Sequence, residues 1–305
     1  MMSRKCILFF VLLCLGAPGV RAQATTAQSK GPAQSDQQIS EFSLSGYGEK
    51  GKKTWDLFGQ SADIFENTVK LQNITGNMFG EKENIKLTAD KGDFDKNDGR
   101  VHLEENVEIT TTSGAKLTTD TLDWDRKNQL VTTKDQVNIE KENMVSTATG
   151  ATGHPNLNTM TLEKDVTVTM NPDVKALAAQ KNEIIITCDG PLEIDYQANV
   201  ARFNNNVKAD KKDSVIYCDI MEMYFGKNDS KPEPASEQKV TAEQAFMGTK
   251  IDKLVCRGNV RIVRGENVSY CEEAVYTALD QKITLTGRPK LVIYSTEDFK
   301  SSFGN

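Results

Sequence analysis

Histidine is almost missing: 305 residues contain only His102 and His154, too few for a multi-histidine metal site and poor material for a nucleophile–histidine–acid relay. A surplus of positive charge is missing as well. The 37 Lys and Arg residues stand against 43 Asp and Glu, a net charge of −6. Affinity for a phosphate backbone comes largely from clustered cations, so nucleic acid is set aside as a partner. No segment sustains a 3.6-residue apolar period, which argues against a helical bundle. Only 38% of residues are hydrophobic, yet no general Pro, Gly or Ser bias marks disorder, so the chain should fold with much polar surface.

What is present begins with an address. Arg4 and Lys5 precede the apolar run Ile7–Leu15, Gly16 and Pro18 break it, and Val20-Arg21-Ala22 offers a cleavage site. Residues 1–22 read as a secretory signal, which predicts a periplasmic protein; the alternative is an inner-membrane anchor left uncleaved. The run is short for about 30 Å of hydrocarbon. Residues 23–38 are polar and of low complexity, a flexible leader. The exported chain keeps Cys188, Cys218, Cys256 and Cys271, an even number in a compartment that permits disulfides.

Beyond the leader the pattern is of strands. Asn106-Val-Glu-Ile109, Val137-Asn-Ile139, Val166-Thr-Val168 and Asn259-Val-Arg-Ile262 alternate apolar with polar residues, and Thr, Asn, Asp and Gly fill the spaces. The alternation belongs to a repeat. Thr88–Ile109 aligns without gaps on Thr118–Ile139 and then on Thr147–Val168, at spacings of 30 and 29 residues. Further copies run over Thr187–Ala209 and Tyr270–Leu291, and one copy is split between Tyr217–Phe225 and Leu254–Ile262. Residues 171–182 read as a linker with a short helix, and Asn228–Ala245 as a long loop. Stacked units would set Phe94 near Trp124, Val107 near Val137 and Ile109 near Ile139, making apolar columns on one face. The predicted fold is all-β: an elongated, twisted β-jellyroll of antiparallel hairpin units in two modules, 39–170 and 183–300.

Several motifs invite chemistry and are better read as turns. Gly46-Tyr-Gly-Glu-Lys-Gly51 fits a dinucleotide-binding pattern, but Lys53–Phe58 reads as a strand where a helix N-terminus would have to meet phosphate. Asp93, Asp95, Asn97 and Glu104 have calcium-loop spacing, but Asp98 stands where glycine must turn the chain. The cysteines form no C-x-x-C pair, so no zinc site is expected. Cys188, Cys218 and Cys271 fall at the same place in their units, which makes Cys188–Cys218 the first disulfide to expect and buried free thiols the alternative. Acidic pairs such as Glu104-Glu105 suit a solvated face better than acid–base chemistry. No catalytic residue, cofactor or metal is named, and the chain is read as a non-enzyme.

Against this background, Gly51–Gly59, Leu87–Gly92, Leu117–Trp124 and Val131–Thr133 carry a resemblance of residues 42–170 to the LptC family, the periplasmic anchor component of lipopolysaccharide transport. Thr187–Leu192, Gly258–Ile262 and Leu285–Pro289 make residues 183–299 similar to the bridge component, the LptA or OstA-like family. The resemblance implies a jellyroll whose apolar interior holds lipid acyl chains and whose open ends join similar β-jellyroll proteins and an inner-membrane transporter. It turns the inward positions into a lipid-binding lining: Phe94, Val101, Leu103, Val107, Ile109, Leu122, Trp124, Val137, Ile139, Leu192, Ile194, Val207, Val260, Ile262, Val275, Ile283 and Leu285. The expected function is a periplasmic conduit for lipopolysaccharide between inner and outer membrane. The alternative is a structural β-module that assembles through edge strands and binds no lipid.

Overall fold

The computed structural model describes residues 37–48, 51–80, 84–125, 127–128, 130–141, 144–154, 157–170, 183–226, 245–246, 249–280 and 282–293. The expected signal, most of the leader, the linker at 171–182 and nearly all of the loop at 228–245 lie outside the described residues. Among the described residues no helix is long and apolar enough to cross a membrane.

Antiparallel strands make up almost all the rest. The first nine are β1 (Gln37–Tyr47), β2 (Lys53–Ile64), β3 (Thr68–Phe79), β4 (Asn84–Asp95), β5 (Arg100–Thr111), β6 (Lys116–Asp125), β7 (Leu130–Lys141), β8 (Met144–His154) and β9 (Thr159–Met170). They pair in chain order, β1 with β2 through to β8 with β9. Then follow β10 (Ile184–Cys188), β11 (Leu192–Asp195), β12 (Val200–Lys211), β13 (Ser214–Phe225), β14 (Ala245–Phe246), β15 (Thr249–Arg264), β16 (Asn267–Thr277), β17 (Lys282–Thr286) and β18 (Lys290–Val292). The short β10 and β11 act as one interrupted strand between β9 and β12. β13 pairs directly with β15, rejoining the repeat copy that the long loop splits, and β16 ends the sheet against β17 and β18. The predicted all-β stack of antiparallel hairpins is the architecture observed.

Each hairpin of the repeat needs a turn, and an aspartate supplies it. The Asp95 carboxylate accepts the backbone N–H groups of Asn97 and Asp98, Asp125 those of Lys127 and Asn128, and Asp195 those of Gln197 and Ala198. A short acceptor side chain closing on the backbone two and three residues ahead fixes the turn locally. Asp95 is thereby used in the turn that competes with the calcium-loop reading. The glycines at 46–51 likewise join β1 to β2, with Gly48 N–H donating to Lys52 O.

Midway along each strand the alternation resets. On β5, β7, β9, β12 and β15, three successive residues turn away from the buried side: Glu104-Glu105-Asn106, Lys134-Asp135-Gln136, Glu163-Lys164-Asp165, Asn204-Asn205-Asn206 and Arg257-Gly258-Asn259. The intervening strands spend only two, as at Asp90-Lys91 and Glu272-Glu273. The ladder slips at these places, as a β-bulge requires, and a bulge bends its strand. Asn106, Asp165, Asn206 and Asn259 have φ of 53, 51, 52 and 47°, the left-handed region that Asn and Asp enter most cheaply among non-glycine residues. Asn106 Nδ2 then donates to Asp90 Oδ2 at 2.6 Å and Asn259 Nδ2 to Asp219 Oδ2 at 2.8 Å, tying the bend to the neighbouring strand.

The residue after each bend is a valine. Val107, Val137, Val166, Val207 and Val260 are 0–1% exposed, a degree of burial that one open sheet face cannot give, so the two arms of each bent strand enclose them. Burying such a side chain contributes roughly 1.5–3 kcal/mol. The buried residues fall into two clusters. One spans β2 to β6, with Leu71, Ile74, Leu103, Val107 and Leu122; the larger spans β7 to β16. Between them Thr119 and Thr133, both buried, bring their hydroxyls to 3.2 Å, where the β6–β7 ladder is interrupted.

Candidate functional site

Cross-strand register turns the buried side into continuous rows. At the crease, β-branched residues on the bulged strands alternate with small ones on the strands between: Val107 pairs with Thr119, Val137 with Ala148, Val166 with Cys188, Val207 with Cys218 and Val260 with Cys271. A large residue beside a small one lets neighbouring strands keep their spacing of about 4.8 Å while the sheet bends.

Three more rows run parallel to the crease. On one arm the inner row links Leu71, Gly92, Leu103 and Leu122, then Thr133, Ala151, Leu162, Leu192, Phe203, Met221, Cys256, Ala274 and Leu285. Gly92 leaves room for its neighbours: a Cβ there would sit 2.6 Å from Ile74 Cδ1 and 3.0 Å from Leu103 Cδ2, so a larger residue would displace both side chains. Farther out, Phe94, Val101, Trp124 and Val131 line up, and the same row later passes through Ile194 and ends at Ile283. On the other arm Leu87, Ile109, Leu117 and Ile139 lead through Val168 and Ile186 to Ile216 and Ile262.

The structure therefore gathers sixteen of the residues named from sequence on one side of the sheet: Phe94, Val101, Leu103, Val107, Ile109, Leu122, Trp124, Val137, Ile139, Leu192, Ile194, Val207, Val260, Ile262, Ile283 and Leu285. Their packing differs. The inner row is closed in on both sides of the chain's middle, with Leu103, Leu122, Leu162, Leu192, Phe203 and Met221 each at most 4% exposed, whereas Ile283 at the far end of the outer row is 58% exposed. In β4 to β6, Phe94, Val101, Ile109 and Trp124 are only half-buried.

Val275 is corrected. It pairs with Val255 opposite Glu222, on the far side of the sheet. Counting by twos from Cys271 reaches 275, but Glu272 and Glu273 both turn outward at the bend and shift the count, so that Ala274 and Tyr276 face in. The expected Cys188–Cys218 bridge is also not formed. All four described cysteines are free thiols. Cys188 and Cys218 lie on β10 and β13 with Val207 of β12 between them, so two strand spacings, roughly 9–10 Å, separate their backbones, beyond a disulfide's usual reach of about 7 Å.

Cys188, Cys218 and Cys271 serve as small crease residues, and Cys256 belongs to the inner row. Cys256 lies against Cys218, whose hydrogen bond, together with burial, pushes its ionisation far up. Burial likewise raises Cys188 and Cys271, so the neutral thiols are favoured and a nucleophilic thiolate is not.

Sequence reading missed Leu71, Ile74 and Leu87, which precede the first aligned unit, and Leu162, Phe203 and Met221. The repeat held the signal. Phe203 stands four residues before Val207 as Leu103 stands before Val107, and Met221 three after Cys218 as Leu122 stands after Thr119.

On the opposite face, ion pairs cross the strands. Glu222, whose side chain is 4% exposed, accepts from Arg202 at 2.7 Å, Arg257 at 2.6 Å and Tyr224 at 3.0 Å, and Arg257 continues to Glu273 at 2.9 Å. Burial opposes the charge on Glu222, but these donors outweigh it and hold its carboxyl below the usual range. His102 sits between Asp123 at 2.6 Å and Glu104 at 3.0 Å. Among the described residues no group of three His, Cys, Asp or Glu is arranged to hold a metal.

A family model described as lipopolysaccharide-assembly, LptC-related matches residues 6–171, more than half of the chain. No curated protein matches it.

Proposed function

Starting from the fact that the chain belongs to the lipopolysaccharide-assembly, LptC-related family, we propose that it is a periplasmic, non-catalytic carrier whose apolar trough takes the acyl chains of lipopolysaccharide on their way between the two membranes. Membership implies a role in lipopolysaccharide transport; the trough, the cargo's position and the compartment are this reading's own additions. The observation that carries it is the set of unbroken inner rows whose residues in β4 to β6 keep part of their apolar surface uncovered. Burying one methylene contributes about 0.8 kcal/mol, so a chain of about a dozen carbons laid along such rows would offset its removal from a membrane. Neighbouring positions offer nearly the same lining, which suits movement better than one deep pocket would.

In this reading residues 1–22 direct export, 39–170 form the LptC-like module and 183–300 an LptA- or OstA-like one. The chain then stands in a row of similar β-jellyroll proteins beginning at an inner-membrane transporter. The outer strands fit that place: β1 pairs only with β2, and β17 and β18 only with β16, among the described residues. Ile39, Leu44 and Tyr47 are exposed at one end, and Ile283, Leu291 and Ile293 at the other. The same edges favour the second reading, assembly by strand addition without any lipid.

A photo-crosslinking residue at Ile109 or Trp124, with the same probe at outward-facing Thr118 as control, tests the first reading on the full chain incubated with lipopolysaccharide. Lipid adducts at the two inner sites and not at Thr118 are the expected result. Adducts at neither inner site, with edge-dependent assembly intact, would leave only the second reading.

A further inference from the structure

One row of residues on the outer side of the sheet runs in register from β3 to β18, and its chemistry changes partway. From β3 it reads Thr75, Thr88, Glu108, Thr118, Asn138, Thr147, Thr167 and Thr187, a hydroxyl ladder with one carboxylate and one amide. From β12 onward it reads Lys208, Tyr217, Arg261, Tyr270 and Lys290, cations alternating with aromatic rings. Threonine suits any exposed strand, so the first stretch asks for no explanation beyond the fold. The second gathers positive charge on a chain whose net charge is −6, and sheet formation does not require it.

The change coincides with a depression. Tyr217, Arg261, Tyr270 and Arg288 line an open cavity of about 440 Å³, together with the crease residues Val260 and Cys271, within the usual size of a small-molecule site. Arg261 lies over the Tyr217 ring at 4.0 Å, which fixes its guanidinium plane. Among the described residues Arg261, Arg288 and Lys290 make no ion pair. Of the nearby carboxylates, Asp210 bonds Lys208 at 2.7 Å and Asp219 accepts from Asn259 at 2.8 Å, while the Glu272 side chain lies beside Gly287 at the cavity's edge. Tyr270, 43% exposed, presents its ring between Arg261 and Lys290, one strand to either side.

We propose that this outer-face cavity binds a phosphorylated sugar, its ring against Tyr270 and its anionic groups held by Arg261 and Arg288, with Lys290 at the margin. Guanidinium groups match phosphate oxygens in pairs, and a flat aromatic surface takes the apolar face of a saccharide. Cations one strand spacing, about 4.8 Å, to either side of the ring select a sugar with charge on more than one side over a single small anion. Arg261, Tyr270 and Lys290 stand on the face opposite the apolar rows, although the cavity also touches Val260 and Cys271 of the crease; the test uses a sugar with no acyl chain, so either site can fail without the other.

Glucose 1,6-bisphosphate is a suitable probe, titrated calorimetrically into the full chain at low salt, with glucose and inorganic phosphate as comparators and anionic phospholipid vesicles as a separate arm. The bisphosphate should bind and weaken as salt rises, inorganic phosphate should bind more weakly, and glucose not at all. Joint replacement of Arg261→Gln and Arg288→Gln should weaken binding by about tenfold or more. Tyr270→Ala should weaken the bisphosphate and leave inorganic phosphate unchanged, and Lys70→Gln on β3 should change neither. All are surface positions, and an unchanged far-ultraviolet spectrum confirms folding. Equal binding by the double arginine variant, no binding of the bisphosphate at millimolar concentration, or binding to vesicles alone would overturn the proposal; the last would assign the face to a bilayer.

Discussion

The same repeat builds two interiors. In β4 to β6 the inner rows pair Leu103 with Leu122 across a floor that contains Gly92 and Ala89, and Phe94, Val101, Ile109 and Trp124 stay half-buried above it. In β9 to β13 the rows that continue these half-buried positions hold Val168, Ile186, Ile194, Ala201 and Met223, each at most 5% exposed. Register, bulges and crease valines are alike in both. What differs is how fully these rows are covered, and in the closed part Met223, with its flexible unbranched chain, is among the residues packed there. The lesson is that the bending of the sheet and the packing of its inner side are set by different residues: the bends fix the first, and the row members between them the second.

Truncation should show this contrast most strongly. Phe203→Ala removes a fully enclosed ring and should cost about 3–5 kcal/mol, whereas Leu103→Ala, beside the more open lining, should fall near the lower end of the roughly 2–5 kcal/mol range for leucine. Urea unfolding of both variants measures the difference, and a larger loss at Leu103 would break the comparison.

A smaller effect should appear on the outer side of the closed part. Glu222→Gln leaves Arg202 and Arg257 without their shared anion and should cost about 2–3 kcal/mol near neutral pH. Because the native carboxyl is held below the ordinary value, its contribution is present above an unfolded pKa of about 4.3 and is lost as pH falls through the native value. The stability gap between wild type and variant should therefore close in acid. A gap that persists there would show that shape, and not charge, was lost.

The smallest effect belongs to the open part. Burial lowers the His102 pKa, but Asp123 and Glu104 more than compensate and raise it above 6.5. Its contribution is full below about pH 6.5 and disappears as pH rises through the native value. A proton resonance of the His102 ring should titrate with a midpoint above 6.5 in wild type and move down in Asp123→Asn. A midpoint unaffected by that change would remove the aspartate from the account.

Much of the fold and of its apolar lining is legible in the amino-acid sequence. Repeats at 30 and 29 residues locate the hairpins, and the Asn-Val-x-Ile pattern marks a bend together with the crease residue after it. Two things are not legible, for a physical reason in each case. Strict alternation misplaces Val275 because two outward residues at the bend reset the count. The cysteine spacing suggests a bridge because equal places in successive units look adjacent in sequence, whereas each unit contributes two strands and leaves Val207 between Cys188 and Cys218. Whether the interior is open or filled cannot be read from the pattern at all, since it depends on how volumes from two arms meet across the trough.

The alternation of bulged and plain strands has a consequence for how such a chain can grow or shrink. Removing a single strand would set two bulged strands side by side, crowding valine on valine along the fold line and leaving each asparagine without the carboxylate it leans on. Removing two at once would restore every contact. Length here comes in even numbers, so shortened or extended versions should be cut at hairpin multiples, and an odd deletion should fail even when every remaining residue is native.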